Sequence, residues 1–380
     1  MSNDYSFDSS RRKFIYNVGL TAISIPVLSS FVKSSKFDED SSRMRISKEK
    51  AAGKLGIALV GLGSYAGGQL APALQSTAHC YLAGIVTGTP DKAEKWKAQY
   101  GIPAANIYDY KSFDNIKNNP DIDIIYVVLP NSMHAEYVIR AAHAGKHVIC
   151  EKPMAITVSD CDKMIAACKK AGKMLSVGYR LHFEPYNLEM ARLGTEKVFG
   201  AVKKMDGKFG FPAEAGIWRL NKELAGGGPL MDVGIYCIQA SCYTAGADPI
   251  AVTAKEGPKT DPVKFKDVEE SLTWQLEMPG GVIADGKASY SEGMNRFRAE
   301  AEKGWFELNP AFNYSGQKGF TSNAKMDFPR VNQQERQMDA FAQSVKSKTP
   351  SIVPGEMGRR DVKILQAIYE AMRTGKKVTI

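Results

Sequence analysis

The chain has 380 residues, about two and a half typical domain lengths, so two domains are expected. Hydrophobic residues at 44% and charged residues at 24% exclude a disordered or collagen-like chain, and no apolar run reaches the roughly 18 residues that a polytopic membrane protein requires. The formal charge of +9, from 50 Lys+Arg against 41 Asp+Glu, is scattered along the chain; with no accompanying motif it points away from nucleic acid and towards a basic surface that helps hold a small phosphorylated ligand.

The first 40 residues read as a signal and linker. Ser10-Arg11-Arg12-Lys13 precedes a moderately apolar run from Tyr16 to Val32, and a polar, Ser-rich stretch follows from Lys33 to Arg45. The run is too short and too weakly apolar for a membrane span, and the paired arginines resemble a twin-arginine export signal. The expected destination is the periplasm, reached through the export machinery, with an uncleaved anchor as the alternative because no Ala-x-Ala site follows. Cys80, Cys150, Cys161, Cys168, Cys237 and Cys242 show no Cys-x-x-Cys spacing, so neither disulfides nor a metal site are expected.

A dinucleotide-binding pattern begins at residue 54. Ile57-Ala58-Leu59-Val60 reads as a buried parallel strand, and Gly61-Leu62-Gly63-Ser64-Tyr65-Ala66 follows it directly, with a helical pattern near Gly67-Leu70. Gly61 permits the tight turn, Gly63 lets backbone approach a pyrophosphate, and Ala66 allows close helix–strand packing; the helix N-terminus favours the phosphates. A second strand, Leu82–Val86, ends at Thr87. An NAD site usually presents a carboxylate there, for the ribose 2′-hydroxyl. Here Thr87 and Thr89 offer hydroxyls and Lys92 a charge, which favours NADP, while Asp91 is the dissenting residue. Thr89-Pro90 reads as a helix cap and first helical position. A further strand over Ile122–Leu129 closes at Pro130-Asn131, a helix runs from about Ser132 to Ala144 with Gly145 as its stop, and His147–Cys150 ends in Glu151-Lys152-Pro153. Ligands lie at the carboxyl ends of such strands, which places Asn131, Glu151 and Lys152 on the nicotinamide side.

The fingerprint together with Glu151-Lys152-Pro153 resembles the glucose–fructose oxidoreductase / inositol dehydrogenase superfamily. Leu129-Pro130-Asn131-Ser132, Gly178-Tyr179-Arg180, Trp218-Arg219, the run Ala225–Tyr236 and the near-terminal Gln366–Ala371 resemble its glucose–fructose oxidoreductase branch, so the resemblance covers Leu55 to Ile380. It implies an α/β protein: an N-terminal Rossmann domain over 54–178, a substrate and oligomerisation domain over 179–350 with an open, mainly antiparallel sheet, and a C-terminal helix in 351–380 that packs back on the Rossmann domain. A homodimer or tetramer is expected. The resemblance also implies that Lys152 acts with a catalytic residue in the segment Asp232 to Tyr236, where many relatives carry His and this chain has Tyr. Leu62, Ser64, Tyr65, Leu129, His134, Arg180, Trp218 and Arg219 are counted with Gly61, Gly63, Thr87, Thr89, Lys92, Asn131, Glu151 and Lys152 as cofactor contacts. A structural salt bridge is the alternative for either arginine, and a histidine satisfied within its loop is the alternative for His134 and for His182. The proline-rich arm that precedes the fingerprint in the bacterial prototype is missing, since Ser41–Gly53 holds no proline.

The chemistry follows from the residue types. Oxidising a sugar hemiacetal needs a base for the hydroxyl proton while hydride leaves carbon. Tyrosine is a poor base near neutral pH unless a neighbouring cation favours the phenolate, which assigns that task to Lys152 beside Tyr236. Asp232, four residues earlier, serves to orient a sugar hydroxyl or the lysine. The expected activity is NADP-dependent oxidation of an aldose to its lactone, with a second sugar reduced in ping-pong fashion on retained cofactor. A simple aldose or polyol dehydrogenase with exchangeable cofactor, a nucleotide-using glycosidase, and a sugar or NADP sensor without turnover stay open. Ala201–Met205, Ser271–Glu277 and Gly281–Ala284 read as strands with one buried face, Pro279-Gly280-Gly281 as a tight turn, and Asn332–Ser347 and Gly358–Thr374 as helices.

Overall fold

The computed structural model describes residues 38–380, so most of the expected export segment lies outside the described residues. Six parallel strands make the first sheet: β1 (Leu55–Val60), β2 (Cys80–Val86), β3 (Ile107–Tyr108), β4 (Ile124–Val127), β5 (His147–Cys150) and β6 (Leu175–Val177). Their order, β3-β2-β1-β4-β5-β6, is that of a dinucleotide-binding Rossmann sheet. Helices cover both faces, which is why β2 and β4 are buried at every position. The strand expected over 122–129 is confined to Ile124–Val127, because the chain already turns at Leu129-Pro130 to open the site.

Nine strands make the second sheet: β7 (Val202–Gly210), β8 (Ala251–Glu256), β9 (Ser271–Glu277), β10 (Ile283–Ser289), β11 (Met294–Ala301), β12 (Gly304–Leu308), β13 (Gly319–Thr321), β14 (Lys325–Met326) and β15 (Val378–Thr379). Only the β7–β10 pair is parallel, so the sheet is mainly antiparallel. Alternation sets its inner face: in β9, Leu272, Trp274 and Leu276 are buried while Thr273 and Gln275 are exposed. Trp274 lies across the neighbouring strand at Gly286, where a Cβ would come within 2.0 Å of the indole. On that inner face rests the helix Ile235–Ala245, which carries Tyr236.

Both C-terminal helices tie the two sheets together. Gln333–Ser347, capped by the Asn332 side chain, buries Met338, Phe341 and Ala342 in the core beside β1 and β2. This helix lies within the sequence range assigned to the substrate domain, yet it packs on the Rossmann side. Gly355–Thr374 starts three residues earlier than its sequence pattern suggests and packs both on the helix Val158–Lys170 and on β8. Residues 39–51, read from sequence partly as linker, form a helix capped by Asp38. Arg45 fixes it by donating to the carbonyls of Leu82 and Gly101, and Ile46 is buried.

The central strand leaves no room for side chains where the chain crosses it. At Gly56 a Cβ would lie 1.9 Å from the Asp121 carbonyl oxygen, a backbone atom that cannot swing aside. Gly56→Ala should therefore destabilise the protein by about 1–3 kcal/mol in denaturant unfolding; an unchanged midpoint would contradict the close approach.

Candidate active site

The site grows from the ends of β1, β2, β4 and β5. After Val60 the chain turns at Gly61, with φ +96° and a Cβ position 2.6 Å from the Val128 carbonyl oxygen, so only glycine fits. At Gly63 a Cβ would meet nothing within 4 Å. The protein's own packing does not require glycine there; bare backbone facing open space suits a bound pyrophosphate. The helix that follows opens as a π-turn over Ala66–Leu70, with Ala66 fully buried against the sheet.

At the end of β2, Thr87 is buried and its hydroxyl accepts the Thr89 N–H at 3.2 Å. Thr89 stands at the cap position of the helix Pro90–Tyr100 but makes no side-chain cap bond, which corrects its expected role. Thr87, Thr89 and Lys92 border the central cavity whereas Asp91 does not. Beyond β4, the Asn131 amide donates to the Ala225 carbonyl at 2.8 Å and so joins the Rossmann sheet to the glycine-rich loop of the second domain.

His134 does not reach the cavity, contrary to its place among the cofactor contacts. It is fully buried, with Nε2 at 2.9 Å from the Leu129 carbonyl oxygen and Nδ1 at 3.0 Å from that of Pro153. Its ring staples the loops that follow β4 and β5. His182 is likewise engaged internally, on Gln239 at 2.8 Å.

Glu151 and Lys152 leave β5 in different directions. Glu151 accepts from the Tyr126 hydroxyl at 2.7 Å and from the Lys152 N–H at 3.2 Å, and burial pushes its carboxyl above the usual range. Gln337, on the helix Gln333–Ser347, donates to the same Tyr126 oxygen. Lys152 crosses to the second domain: Nζ donates to the Asp232 carbonyl oxygen at 2.6 Å and to Oδ1 at 3.1 Å, and lies 4.8 Å from the centre of the Tyr236 ring. Asp232 Oδ2 accepts from the Tyr290 hydroxyl at 3.1 Å and pairs with Arg219 Nε at 3.2 Å. Arg219 is thus in a salt bridge; Arg180 is in none among the described residues, and stacks by Tyr236 and Tyr314.

Glu269 holds the helix start that presents Asp232. Its carboxylate accepts from the N–H groups of Gly228 and Leu230 at 3.0 and 3.2 Å and from the Tyr369 hydroxyl at 2.8 Å. A Cβ on Gly227 would fall 1.9 Å from that hydroxyl, which accounts for the glycine run.

Together these walls enclose a cavity of about 950 Å³. Every residue assigned from the sequence as catalytic or as a cofactor contact borders it except His134. Sequence reading missed its aromatic wall, Phe209, Phe211, Phe312 and Tyr314, together with Tyr110 beside Gly88. Phe209 packs edge-on to Tyr236 at 5.6 Å, and Tyr314 stacks on Tyr65 at 5.9 Å. The extension of β7 to Gly210 could have signalled Phe209; no periodicity marks Phe312 or Tyr314.

Burial alone would raise the Asp232 carboxyl, but Lys152 and Arg219 hold it down at about 2, against an ordinary 3.8. A folded-state value below the unfolded one gives stability that is complete above about pH 4 and lost as pH falls towards 2. Asp232→Asn should cost about 2 kcal/mol or more at neutral pH, with the deficit shrinking between about pH 4 and 2 in denaturant titrations. A deficit independent of pH would contradict the pairing.

Two family models match the chain: an oxidoreductase family with an NAD-binding Rossmann fold over residues 55–179, and the Gfo/Idh/MocA C-terminal domain over 187–307. The crystal structure of an aldose–aldose oxidoreductase from Caulobacter crescentus is 42% identical, covers 86% of this chain and 100% of its own, and superposes with a TM-score of 0.84. The NADP-dependent D-xylose 1-dehydrogenase of Haloarcula marismortui is 28% identical over 85% of this chain and 92% of its own. A second such enzyme, from Haloferax volcanii, is 28% identical over 86% and 99%. With both domains matched and the fingerprint, Lys152 and Tyr236 gathered round one cavity, the chain belongs to the Gfo/Idh/MocA oxidoreductase family.

Proposed function

We propose that the protein is an NADP-dependent sugar oxidoreductase that oxidises an aldose at its hemiacetal carbon to the lactone and reduces a second sugar on the same, retained nucleotide. The observation that carries this reading is the Lys152–Asp232–Tyr236 cluster, set on the nicotinamide side of a glycine turn shaped for a pyrophosphate. Relatives whose names state NADP-dependent xylose dehydrogenation and aldose–aldose oxidoreduction support the cofactor and the substrate class.

Gly61, Gly63 and the following helix start would hold the pyrophosphate, and Thr87, Thr89 and Lys92 the 2′-phosphate. Bound there, NADP supplies the acceptor and later the donor of hydride. The chain's own residues handle the proton. The Tyr236 hydroxyl oxygen takes the proton of the sugar hydroxyl as the lactone forms, and returns one to the alkoxide when a carbonyl sugar is reduced. Lys152, kept charged by its carboxylate partner, favours the ionised oxygen of Tyr236. The phenylalanine wall offers an apolar face to a sugar ring and keeps water from the reacting carbon. Outside the cytoplasm, where the Arg11-Arg12 segment points, there is no nucleotide pool, and the second sugar recycles the cofactor.

One observation favours the simpler dehydrogenase with exchangeable cofactor. The helix Glu39–Ala51, which precedes the fingerprint, docks against the Leu82 and Gly101 carbonyls, and none of its residues borders the cavity. One experiment separates the two readings. Wild type and Tyr236→Phe are dialysed exhaustively, denatured, and the released nucleotide identified. Near-stoichiometric NADP(H) from both, with turnover lowered about 10²–10⁴-fold in Tyr236→Phe, is the expected result. An empty wild-type site would replace the closed cycle by exchange, and undiminished turnover would remove Tyr236 from the mechanism.

A further inference from the structure

Arg180 opens the short turn Arg180–Phe183 and is 3% exposed. A buried guanidinium is ordinarily matched by a carboxylate, because an uncompensated charge out of water costs several kcal/mol. Arg180 has no such match among the described residues. Its terminal nitrogens donate to neutral acceptors: the carbonyls of Phe312 and Asn313, at 2.6 and 3.0 Å, and the Gln333 side-chain oxygen. Its Nε is buried without a partner. What it faces instead is aromatic: its guanidinium carbon lies 5.0 Å from the centre of the Tyr236 ring and 4.5 Å from that of Tyr314.

The groups around Tyr236 make this arrangement informative. Lys152 approaches from the end of β5, but its charge is shared with Asp232, which stands one turn earlier on the helix of Tyr236. Arg219 shares the same carboxylate and is more than one-third exposed at its side chain, so solvent screens it. Phe209 and Phe312 are apolar, and burial together with Tyr236 pushes the Tyr314 hydroxyl up to about 12, which keeps it neutral. Glu151 lies within Coulombic reach of Arg180 but accepts its hydrogen bonds from Tyr126 and the Lys152 N–H. Arg180 is therefore the buried cation next to Tyr236 that, among the described residues, no carboxylate contacts. Burial would lower the Arg180 pKa, yet its tyrosine neighbours raise it, so the guanidinium stays charged.

We propose that Arg180 is the cation that sets the ionisation of Tyr236, making a Tyr236–Arg180 couple the working base while Lys152 and Asp232 orient it. The inference rests on Tyr236 as the base. It differs from a cofactor contact, which the family resemblance implies for Arg180, and from a brace for the loop that carries Phe312 and Tyr314. Arg180 touches the reacting phenol, and through it governs which protonation state meets the sugar.

The test compares Arg180→Met and Arg180→Lys with wild type. It reads kcat/KM for aldose oxidation against pH, NADPH affinity by its fluorescence, and near-ultraviolet tyrosinate absorbance with Tyr236→Phe as the blank. In Arg180→Met the acid limb should move up by about one pH unit or more, and the tyrosinate signal missing from Tyr236→Phe should move with it. Arg180→Lys should return most of that shift, and NADPH affinity should change little in either variant. If Arg180→Met does not fold, Arg180→Gln, which keeps donors for the two carbonyls without the charge, is read the same way. An unmoved limb with lower kcat would make Arg180 a brace, and about a tenfold loss of NADPH affinity with an unmoved limb would make it a cofactor contact; either overturns the proposal. Wild-type turnover in Tyr236→Phe would instead remove the base itself, so failure of the underlying reading is distinct.

Discussion

An ammonium and a carboxylate taken out of water together stay ionised only where geometry and further hydrogen bonds compensate both. Lys152 and Asp232 meet that condition, and the fold is arranged around their meeting. Lys152 comes from the first sheet, Asp232 from the helix lying on the second, and neither domain completes the pair alone. Tyr290 and Arg219 satisfy the outer carboxylate oxygen, and the Asp232 carbonyl takes a second bond from the lysine. The supports lie further back. Glu269 and Tyr369 seat the glycine loop, Asn131 ties that loop to β4, and His134 staples the loops after β4 and β5. Each joins chain segments distant in sequence, and each bears on where Lys152, Asp232 and Tyr236 stand relative to one another.

The two ends of the cavity differ in kind. Towards β2 it is lined by hydroxyls, backbone and one exposed lysine, a surface for phosphate oxygens in contact with solvent. Towards the second sheet it is aromatic and cationic, with Phe209, Phe312 and Tyr314 around Tyr236 and Arg180. In such a low-dielectric corner charges act on one another more strongly than in water, so the proposed proton transfer depends more on the residues that touch Tyr236 than on the many surface ion pairs of the open sheet face.

Much of the site was readable from sequence because open parallel sheets put ligands at their strand ends. Gly61, Asn131, Glu151 and Lys152 each follow directly on a recognisable apolar strand. What was not readable depends on chain crossing. His134 carries the same signal as a cavity residue until the loop after β5 closes over it. Phe312 and Tyr314 sit in an irregular stretch between β12 and β13, where neither a period of two nor one of 3.6 exists to mark a buried face. The helix Glu39–Ala51 is polar almost throughout and buries only Ser42 and Ile46, so its composition reads as linker. Arg180 was visible as a residue, but its lack of a carboxylate partner is a property of the assembled core alone.

The proposed function requires one cavity to join hydride transfer to proton removal by Tyr236 beside Lys152. It is tested most directly by mixing NADP-loaded enzyme with excess aldose, without free nucleotide, and following dihydronicotinamide absorbance in a single turnover. A rise equal to the bound nucleotide is expected in wild type, and a rise slowed by orders of magnitude in both Lys152→Met and Tyr236→Phe. A wild-type rate in either variant, or no rise in the wild type, would contradict it.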